Sequence, residues 1–248
     1  MAHRLADAAG AAIRPHFRTR VAITDKPDNS PVTIADQNAE AAMRQLLAAE
    51  CPEHGIHGEE LGVERPDAEW VWVLDPIDGT KAFISGLPMF GTLIALCRRG
   101  RPVLGAIDQP ILRERWIGAE GVPTTLNGVP AKVRACAGLG QATLFSTAPD
   151  MFDGPAAAPY ERLRQAVKLP RYGGDCYAYA MLASGHIDVV VERKLKPFDY
   201  CALVPVIEQA GGIMTDWSGK PLTIASDGQV VAAGDARVHA AALGILKG

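Results

Sequence analysis

The chain has 248 residues and a formal charge of -3, and 48% of its residues are hydrophobic and 21% charged. These values are typical of a globular protein and give no support for nucleic-acid binding, which usually needs a basic face. The five scattered cysteines form no CxxC pair, so we expect reduced thiols in a cytoplasmic protein. No apolar run reaches 18 residues and residues 1–14 lack a long apolar signal core, so neither a membrane span nor a secretion signal is predicted.

The first half of the chain predicts two helices followed by strands. An Ala-rich amphipathic pattern predicts a helix over residues 2–18, which Pro15 would kink or end. Residues 24–31 form a loop by their Pro, Asp, Asn and Ser content, and Thr33 caps a second helix over 34–50. The strands that follow are expected near residues 55–57, 70–74, 90–96, 103–108 and 115–118, with a hairpin turn at Asn127-Gly128. A largely antiparallel sheet flanked by the two helices is therefore expected.

The second half of the chain alternates strands with helices. Strands are predicted over residues 143–146, 169–172, 187–191, 213–215 and 230–233, and helices over 160–167, 176–184, from Asp199 to about 210, and 235–247. This alternation is typical of an α/β layer. We therefore predict an α+β half, residues 1–145, and an α/β half, residues 146–248, that work as one unit.

The most distinctive stretch runs from Trp70 to Thr80, where an apolar strand leads directly into Asp75-Pro76-Ile77-Asp78-Gly79-Thr80. Two carboxylates three residues apart repel each other unless a cation or a proton compensates them. Asp75 and Asp78 would therefore hold Mg²⁺, with the Ile77 carbonyl as a further ligand, and Gly79 would let the backbone approach a phosphate closely. The residues alone leave an ordinary acidic turn open as a second interpretation.

Other chemistry that uses paired acids fits this stretch poorly. Counted from Asp75, glycine is the fifth residue and Gly86 the twelfth, whereas an EF-hand needs glycine at the sixth position and glutamate at the twelfth. Phosphatases of the haloacid dehalogenase type place one residue between their two acids, and this chain places two. Neither a P-loop nor a GxSxG motif is present.

Several motifs together resemble the inositol monophosphatase family, whose members are Mg²⁺-dependent, lithium-sensitive phosphomonoesterases. They are Gly58-Glu59-Glu60, Trp72 to Thr80, Lys196-Pro197-Phe198-Asp199 and Glu208 to Gly212, in the family's order along the chain. The resemblance implies a layered α-β-α-β-α sandwich of the kind that fructose-1,6-bisphosphatase also has. It implies two or three Mg²⁺ ions in each active site, a small phosphomonoester as substrate, and a homodimer, which is common in the family.

The resemblance also implies a set of metal ligands. Glu59, Asp75 and the Ile77 carbonyl would hold the first ion. Asp75, Asp78 and Asp199 would hold the second, so that Asp75 bridges the two. Residues 1–145 would then carry most of the ligands, and residues 146–248 the substrate pocket and the last ligand.

Catalytic roles follow from the same resemblance. Thr80 and Glu59 would orient and deprotonate the attacking water, and Asp36 with Glu59 would assist at a weaker third metal site. Asp36 has a plainer alternative role, as a charge that stabilises the first turn of its helix, and Glu60 is interpreted as a neighbour and not a ligand. The residues expected to border the substrate are Asp78, Gly79, Thr80, Gly174, Asp175, Glu192 and Asp199.

The predicted substrate pocket differs from that of inositol monophosphatases. Gly173-Gly174-Asp175 stands where those enzymes carry Gly-Ser/Thr-Ala, and the sequence Gly-Gly-Asp-Cys-Tyr is similar to the histidinol-phosphatase branch, as are residues 30–36 and 203–208. Asp175 and Glu192 would suit a cationic leaving group, because charge-assisted hydrogen bonds to an ammonium or imidazolium are strong. The alternative role for Asp175 is to cap the helix that follows it.

Three functions remain open at this point. The first is a Mg²⁺-dependent phosphatase that hydrolyses L-histidinol phosphate in histidine biosynthesis. The second is a phosphatase of the same family that acts on inositol phosphates, sugar bisphosphates or 3′-phosphoadenosine phosphates. The third is a non-catalytic relative that only binds metal or a phosphorylated ligand, and the presence of all the acids together with Thr80 argues against it.

Overall fold

A computed structural model describes residues 1–25 and 31–247 of the chain. Residues 26–30, the middle of the predicted loop and the start of the quoted motif at 30–36, lie outside the described residues. The two ends of that predicted loop are strands, because the backbone of Ile23–Asp25 pairs antiparallel with that of Pro31–Thr33. Within the described ranges, no helix has the length and apolar character needed to cross a membrane.

The helices and strands follow the predicted order along the chain. The helices are α1 (Ala2–Ile13), α2 (Ile34–Glu50), α3 (Thr80–Ile84), α4 (Ala157–Ala166), α5 (Asp175–Ala183), α6 (Pro197–Tyr200), α7 (Leu203–Gln209) and α8 (Ala236–Leu246). The strands are β1 (Ile23–Asp25), β2 (Pro31–Thr33), β3 (Gly55–Gly58), β4 (Val63–Glu64), β5 (Trp70–Asp78), β6 (Gly91–Arg98), β7 (Arg101–Gln109), β8 (Glu114–Ala119), β9 (Val122–Leu126), β10 (Val129–Pro130), β11 (Thr143–Ser146), β12 (Leu169–Tyr172), β13 (Val189–Glu192), β14 (Ile213–Thr215) and β15 (Val230–Ala233).

Local signals account for several of these boundaries. α1 gives way to a 3-10 turn at Arg14–His16, because Pro15 has no N–H to continue the α-helical hydrogen bonds. Thr33 caps α2 as predicted, and the side chain of Asp36 accepts a hydrogen bond from the Thr33 N–H in return. The predicted hairpin turn at Asn127-Gly128 is confirmed by the antiparallel pairing of β9 with β10.

The larger sheet has the strand order β10-β9-β8-β7-β6-β5-β3-β4 and is antiparallel except for the β3–β5 pair. Side chains alternate across β5: Trp72 and Leu74 pack in a core with α1 and α2, whereas Val71 and Val73 pack in a core with α5 and α7. Both faces of β5 are therefore buried, which explains why its first five residues, 70–74, are apolar without interruption.

The smaller sheet has the order β12-β11-β13-β15-β14, with β12, β11 and β13 parallel. Val190 and Ala232 share the central core with α5 and α7, whereas Val189 and Val231 pack in an outer core with α4 and α8. The layers are therefore α1/α2, the large sheet, α5/α7, the small sheet, and α4/α8. The predicted α-β-α-β-α sandwich is confirmed.

Two differences from the predicted elements matter for function. β5 continues to Asp78 instead of ending at residue 74, and its pairing with β6 is irregular between Asp75 and Asp78. The predicted helix from Asp199 to residue 210 is divided into α6 and α7. Both changes place an acidic residue in a bulge or a short helix, where its side chain can leave the regular packing of the layers.

Candidate metal centre and substrate pocket

Three aspartates meet at the end of β5. One carboxylate oxygen from each of Asp75, Asp78 and Asp199 lies within 4.8 Å of the other two, although Asp199 comes from α6 in the second half of the chain. Asp75 is buried, and its Oδ1 has no hydrogen-bond partner among the described residues. A buried carboxylate oxygen without a donor, beside two further acids, fits a cation that would complete its coordination.

The electrostatics of the cluster lead to the same conclusion. Burial raises the pKa of Asp75 well above its usual value, and Glu59, Asp78 and Asp199 raise it further. The pKa of Asp78 is raised by burial and then by Asp175 and Asp199, and the pKa of Asp199 is raised to about 7, mainly by burial. Among the described residues, Lys196 opposes the shift of Asp199 only in part, and Mg²⁺ with its preference for oxygen ligands fits the donor set.

The backbone around Asp78 is shaped by close contacts. The Cys176 N–H, in the first turn of α5, donates to Oδ2 of Asp78 at 2.5 Å. Gly79 has a φ of +92° and a Cβ there would lie 3.0 Å from the Met89 carbonyl and 3.2 Å from the Asp175 Cβ, so only glycine fits. Asp199 is oriented by the Lys196 N–H, which donates to its Oδ2 at 2.6 Å.

Asp36 and Thr80 lie together on the α2 side of the cluster. The Thr80 hydroxyl donates to the Ile77 carbonyl at 3.0 Å and lies 3.4 Å from Oδ1 of Asp36. Oδ2 of Asp36 accepts from the N–H and the hydroxyl of Thr33 at 2.8 and 2.7 Å. One oxygen of Asp36 therefore caps α2, which agrees with its plainer alternative role, and the other faces Thr80; the role of Asp36 at a third metal site stays a prediction.

Glu59 follows β3, and its N–H donates to the Leu74 carbonyl at 3.1 Å. Its charge raises the pKa of Asp36, of Asp75 and of Asp199. Glu59 is thus a member of the acid cluster, brought there by the parallel pairing of β3 with β5.

A cavity of about 130 Å³ opens beside Asp78 and Asp199, and its lining includes Asp175 and Glu192. Glu192 is buried at the end of β13, and burial raises its pKa to about 7. The pKa of Asp175 is raised to about 6, also by burial, although a hydrogen bond from Thr147 opposes the shift. Two carboxyl groups that are costly to ionise therefore face the space next to the aspartate cluster.

The predicted role of Asp175 as the cap of α5 is not what the structure shows. Gly174 is the residue before α5, and Asp175 is the first residue of the helix, with a φ of +42°. Asp175 is therefore not the cap residue. A Cβ on Gly174 would lie 2.7 Å from the Ala178 Cβ and 3.0 Å from the Phe145 ring, so this glycine permits close packing instead of lining the cavity.

Two residues of this pocket were missed from the sequence. The Thr147 N–H donates to Oε1 of Glu192 at 2.7 Å, and the hydroxyl of Tyr179 donates to Oε2 of Glu192 at 3.0 Å. Thr147 follows β11 and Glu192 ends β13, and because these strands are parallel their carboxyl ends meet at one edge of the sheet. Strand ends were visible in the sequence, but the pairing of β11 with β13 was not.

Comparisons with known proteins agree with this geometry. Residues 1–246 match the inositol monophosphatase family. The chain is 54% identical to the bifunctional phosphatase IMPL2, chloroplastic, of Arabidopsis thaliana, over 96% of this chain and 72% of that protein. It is 37% identical to a histidinol-phosphatase of Chlorobaculum parvum, over 94% of this chain and 90% of that one. An inositol monophosphatase structure from Zymomonas mobilis superimposes with a TM-score of 0.92 at 50% identity, covering 99% of this chain and 96% of that one. The chain therefore belongs to the inositol monophosphatase family of phosphatases.

Proposed function

We propose that this protein is a Mg²⁺-dependent phosphomonoesterase that hydrolyses L-histidinol phosphate to L-histidinol and phosphate, a step of histidine biosynthesis. The observation that carries the proposal is the position of Asp175 and Glu192, whose carboxyl groups line the same cavity as Asp78 and Asp199. A product with an amine and an imidazole would place its positive charge against these two acids. Inositol has no positive charge to offer them.

The proposed metal ligands are the acids of the cluster. Glu59, Asp75 and the Ile77 carbonyl would hold one ion, and Asp75, Asp78 and Asp199 a second. When bound, Mg²⁺ supplies charge neutralisation at the phosphate and acidification of the attacking water. The orphaned Oδ1 of Asp75 and the raised pKa values of Asp75 and Asp78 support this assignment.

The remaining residues would orient the attacking water and accept its proton. Thr80, held by the Ile77 carbonyl and next to Asp36, would orient the attacking water, and Glu59 would accept its proton. Asp36 would act through Thr80 and at a weaker third metal site. Asp78, Gly79, Thr80 and Asp199 would border the phosphate, and Asp175 and Glu192 the leaving group.

A second candidate is a phosphatase for inositol 1-phosphate, or one with a broader range of sugar and nucleotide phosphates. The similarity to the inositol monophosphatase of Zymomonas mobilis supports this candidate. The division into residues 1–145 and 146–248 as one catalytic unit, the homodimer and the cytoplasmic location stay predictions.

Phosphate release with Mg²⁺ would separate the candidates. We expect the kcat/KM for histidinol phosphate to exceed that for inositol 1-phosphate by about 10- to 100-fold, the factor that a hydrogen bond to a charged group provides. Fructose 1,6-bisphosphate and 3′-phosphoadenosine 5′-phosphate complete the panel. A preference for inositol 1-phosphate would reject the proposed substrate and keep the phosphatase assignment.

A further inference from the structure

Glu40 is a buried acid that lies outside the metal cluster. It follows Asp36 by one turn of α2, and its side chain has no exposed surface. Oε2 accepts from the Glu60 N–H at 2.7 Å, and Oε1 accepts from the Leu61 N–H at 3.1 Å and from Nε of Arg44 at 2.8 Å. Both oxygens of Glu40 therefore accept hydrogen bonds, and Arg44 compensates its charge, so Glu40 belongs to an ion pair and not to the aspartate cluster.

Arg44 extends the same contacts to the far side of the turn at residues 58–64. Its guanidinium donates to the Gly62 carbonyl at 2.5 Å and to Oε1 of Glu64 at 2.6 Å. The Gly58 N–H donates to the same Gly62 carbonyl at 3.0 Å. The Glu40–Arg44 pair thus holds both the middle and the end of the turn that carries Glu59.

Gly58 provides an independent sign that the turn is built around this pair. A Cβ at Gly58 would lie 1.9 Å from Oε1 of Glu40, so any side chain there would displace the carboxylate. Because Gly58 has no Cβ, the Glu40 carboxylate lies directly against the backbone that leads into Glu59. The glycine of the Gly58-Glu59-Glu60 motif is explained by Glu40 and not by a positive φ.

We infer that Glu40 and Arg44 are positioning residues that hold Glu59 against Asp75 and thereby set the metal affinity of the acid cluster. The inference rests on the proposed metal site and goes beyond its ligands. Groups that orient metal ligands change metal affinity by about 10- to 100-fold when they are replaced. A carboxylate that accepts two successive N–H groups fixes the direction of the chain at Glu60 and Leu61, and Glu59 directly precedes them.

The test is Glu40→Gln, which keeps the size of the side chain and replaces one acceptor oxygen by an NH₂ group. That NH₂ group would face the Glu60 N–H, the Leu61 N–H or Arg44, all of them donors, so the turn must shift. Binding of Mn²⁺ alone, which takes the oxygen ligands of Mg²⁺, is measured by electron paramagnetic resonance without substrate. We expect the affinity to fall about tenfold or more, with faster hydrogen exchange at the Glu60 and Leu61 amides.

The matched control is Glu50→Gln on the same helix, where the exposed Glu50 pairs with Arg4 at the surface. It should leave Mn²⁺ affinity and the two exchange rates unchanged. A folded Glu40→Gln variant with Mn²⁺ affinity within about twofold of wild type would overturn the inference, because a merely structural role changes the melting temperature and not the affinity.

If Glu40→Gln does not fold, Arg44→Lys decides the question. Lysine keeps the positive charge beside Glu40 but lacks the fork that reaches Gly62 and Glu64 together. A fall in Mn²⁺ affinity of several fold supports the inference, and an unchanged affinity overturns it. A wild-type protein that binds no Mn²⁺ would reject the proposed metal site as well, so the two failures are distinguishable.

Discussion

Asp175→Asn tests the proposed substrate directly, and the structure predicts that it leaves the fold intact. Asparagine adopts a positive φ as readily as aspartate, so the backbone at +42° is preserved. The substitution also removes a charge that raises the pKa of Asp78, so one source of repulsion in the folded protein disappears. We therefore expect a melting temperature equal to or above that of the wild type.

The expected kinetic effect follows from the charge alone. A hydrogen bond that involves a charged group contributes about 1.5–3 kcal/mol, and about 1.4 kcal/mol corresponds to a factor of ten. If Asp175 contacts the cationic leaving group, Asp175→Asn raises the KM for histidinol phosphate about 10- to 100-fold. A phosphomonoester with an uncharged leaving group makes no such contact, so its KM should change by no more than about twofold.

The assay is steady-state phosphate release at saturating Mg²⁺ with histidinol phosphate and with inositol 1-phosphate. Inositol 1-phosphate corrects for any change in metal binding, because Asp175 lies near Asp78 and both substrates need the same metal site. Asp150→Asn serves as the matched control, because Asp150 is exposed in the turn next to the cavity residue Met151. An equal effect of Asp175→Asn on the two substrates would refute the reasoning.

Three further outcomes are expected. Asp78→Asn should abolish turnover without lowering the melting temperature, because it removes one of several carboxylates that repel each other; normal phosphate release by this variant would contradict the assignment. Mg²⁺ should raise the melting temperature of the wild type in proportion to the logarithm of the Mg²⁺ concentration, and chelation should reverse the effect. A melting temperature that does not change with Mg²⁺ would argue against the metal site. The pKa of Asp188 is lowered, since Arg134 and the Thr143 N–H outweigh the effect of its burial. This carboxylate therefore stabilises the fold above its unfolded pKa, and that contribution is lost as the pH falls through its folded pKa. Arg134→Met should cost about 1–3 kcal/mol in urea unfolding at pH 7, and the loss should shrink as the pH falls below the usual pKa of an aspartate; a loss that does not change with pH would show that the ion pair is not responsible.

Helices and strands with strong local patterns were predicted well, and the errors have identifiable causes. The cap at Thr33 and the turn at Asn127-Gly128 depend on neighbouring residues only, and both are confirmed. The continuation of β5 to Asp78 depends on its pairing with β6, which local propensity does not report. The division between α6 and α7 was missed for a similar reason, since Pro197 and Asp199 predict where a helix begins but not where it breaks.

The sequence by itself determined the spacing of the acids in the Asp75–Thr80 stretch, and the family resemblance favoured a metal site over an ordinary acidic turn. Two acids three residues apart and a glycine that accepts a φ of +92° are local properties, and they already pointed to a cation and a phosphate. The tertiary structure decided which other groups join them: Asp199 reaches the cluster through α6, and Glu59 through the parallel pairing of β3 with β5.

Glu40 and Thr147 show what the sequence could not reveal. Their hydrogen-bond partners lie far along the chain: the Glu40 carboxylate accepts from the N–H groups of Glu60 and Leu61, and the Thr147 N–H donates to the Glu192 carboxylate. The cost of burying a carboxylate depends on which donors and which other charges surround it after folding. Residue type therefore predicted a phosphatase, and the packing of the layers determined which acids meet in the buried cluster, which line the cavity beside it and which hold the turn at residues 58–64.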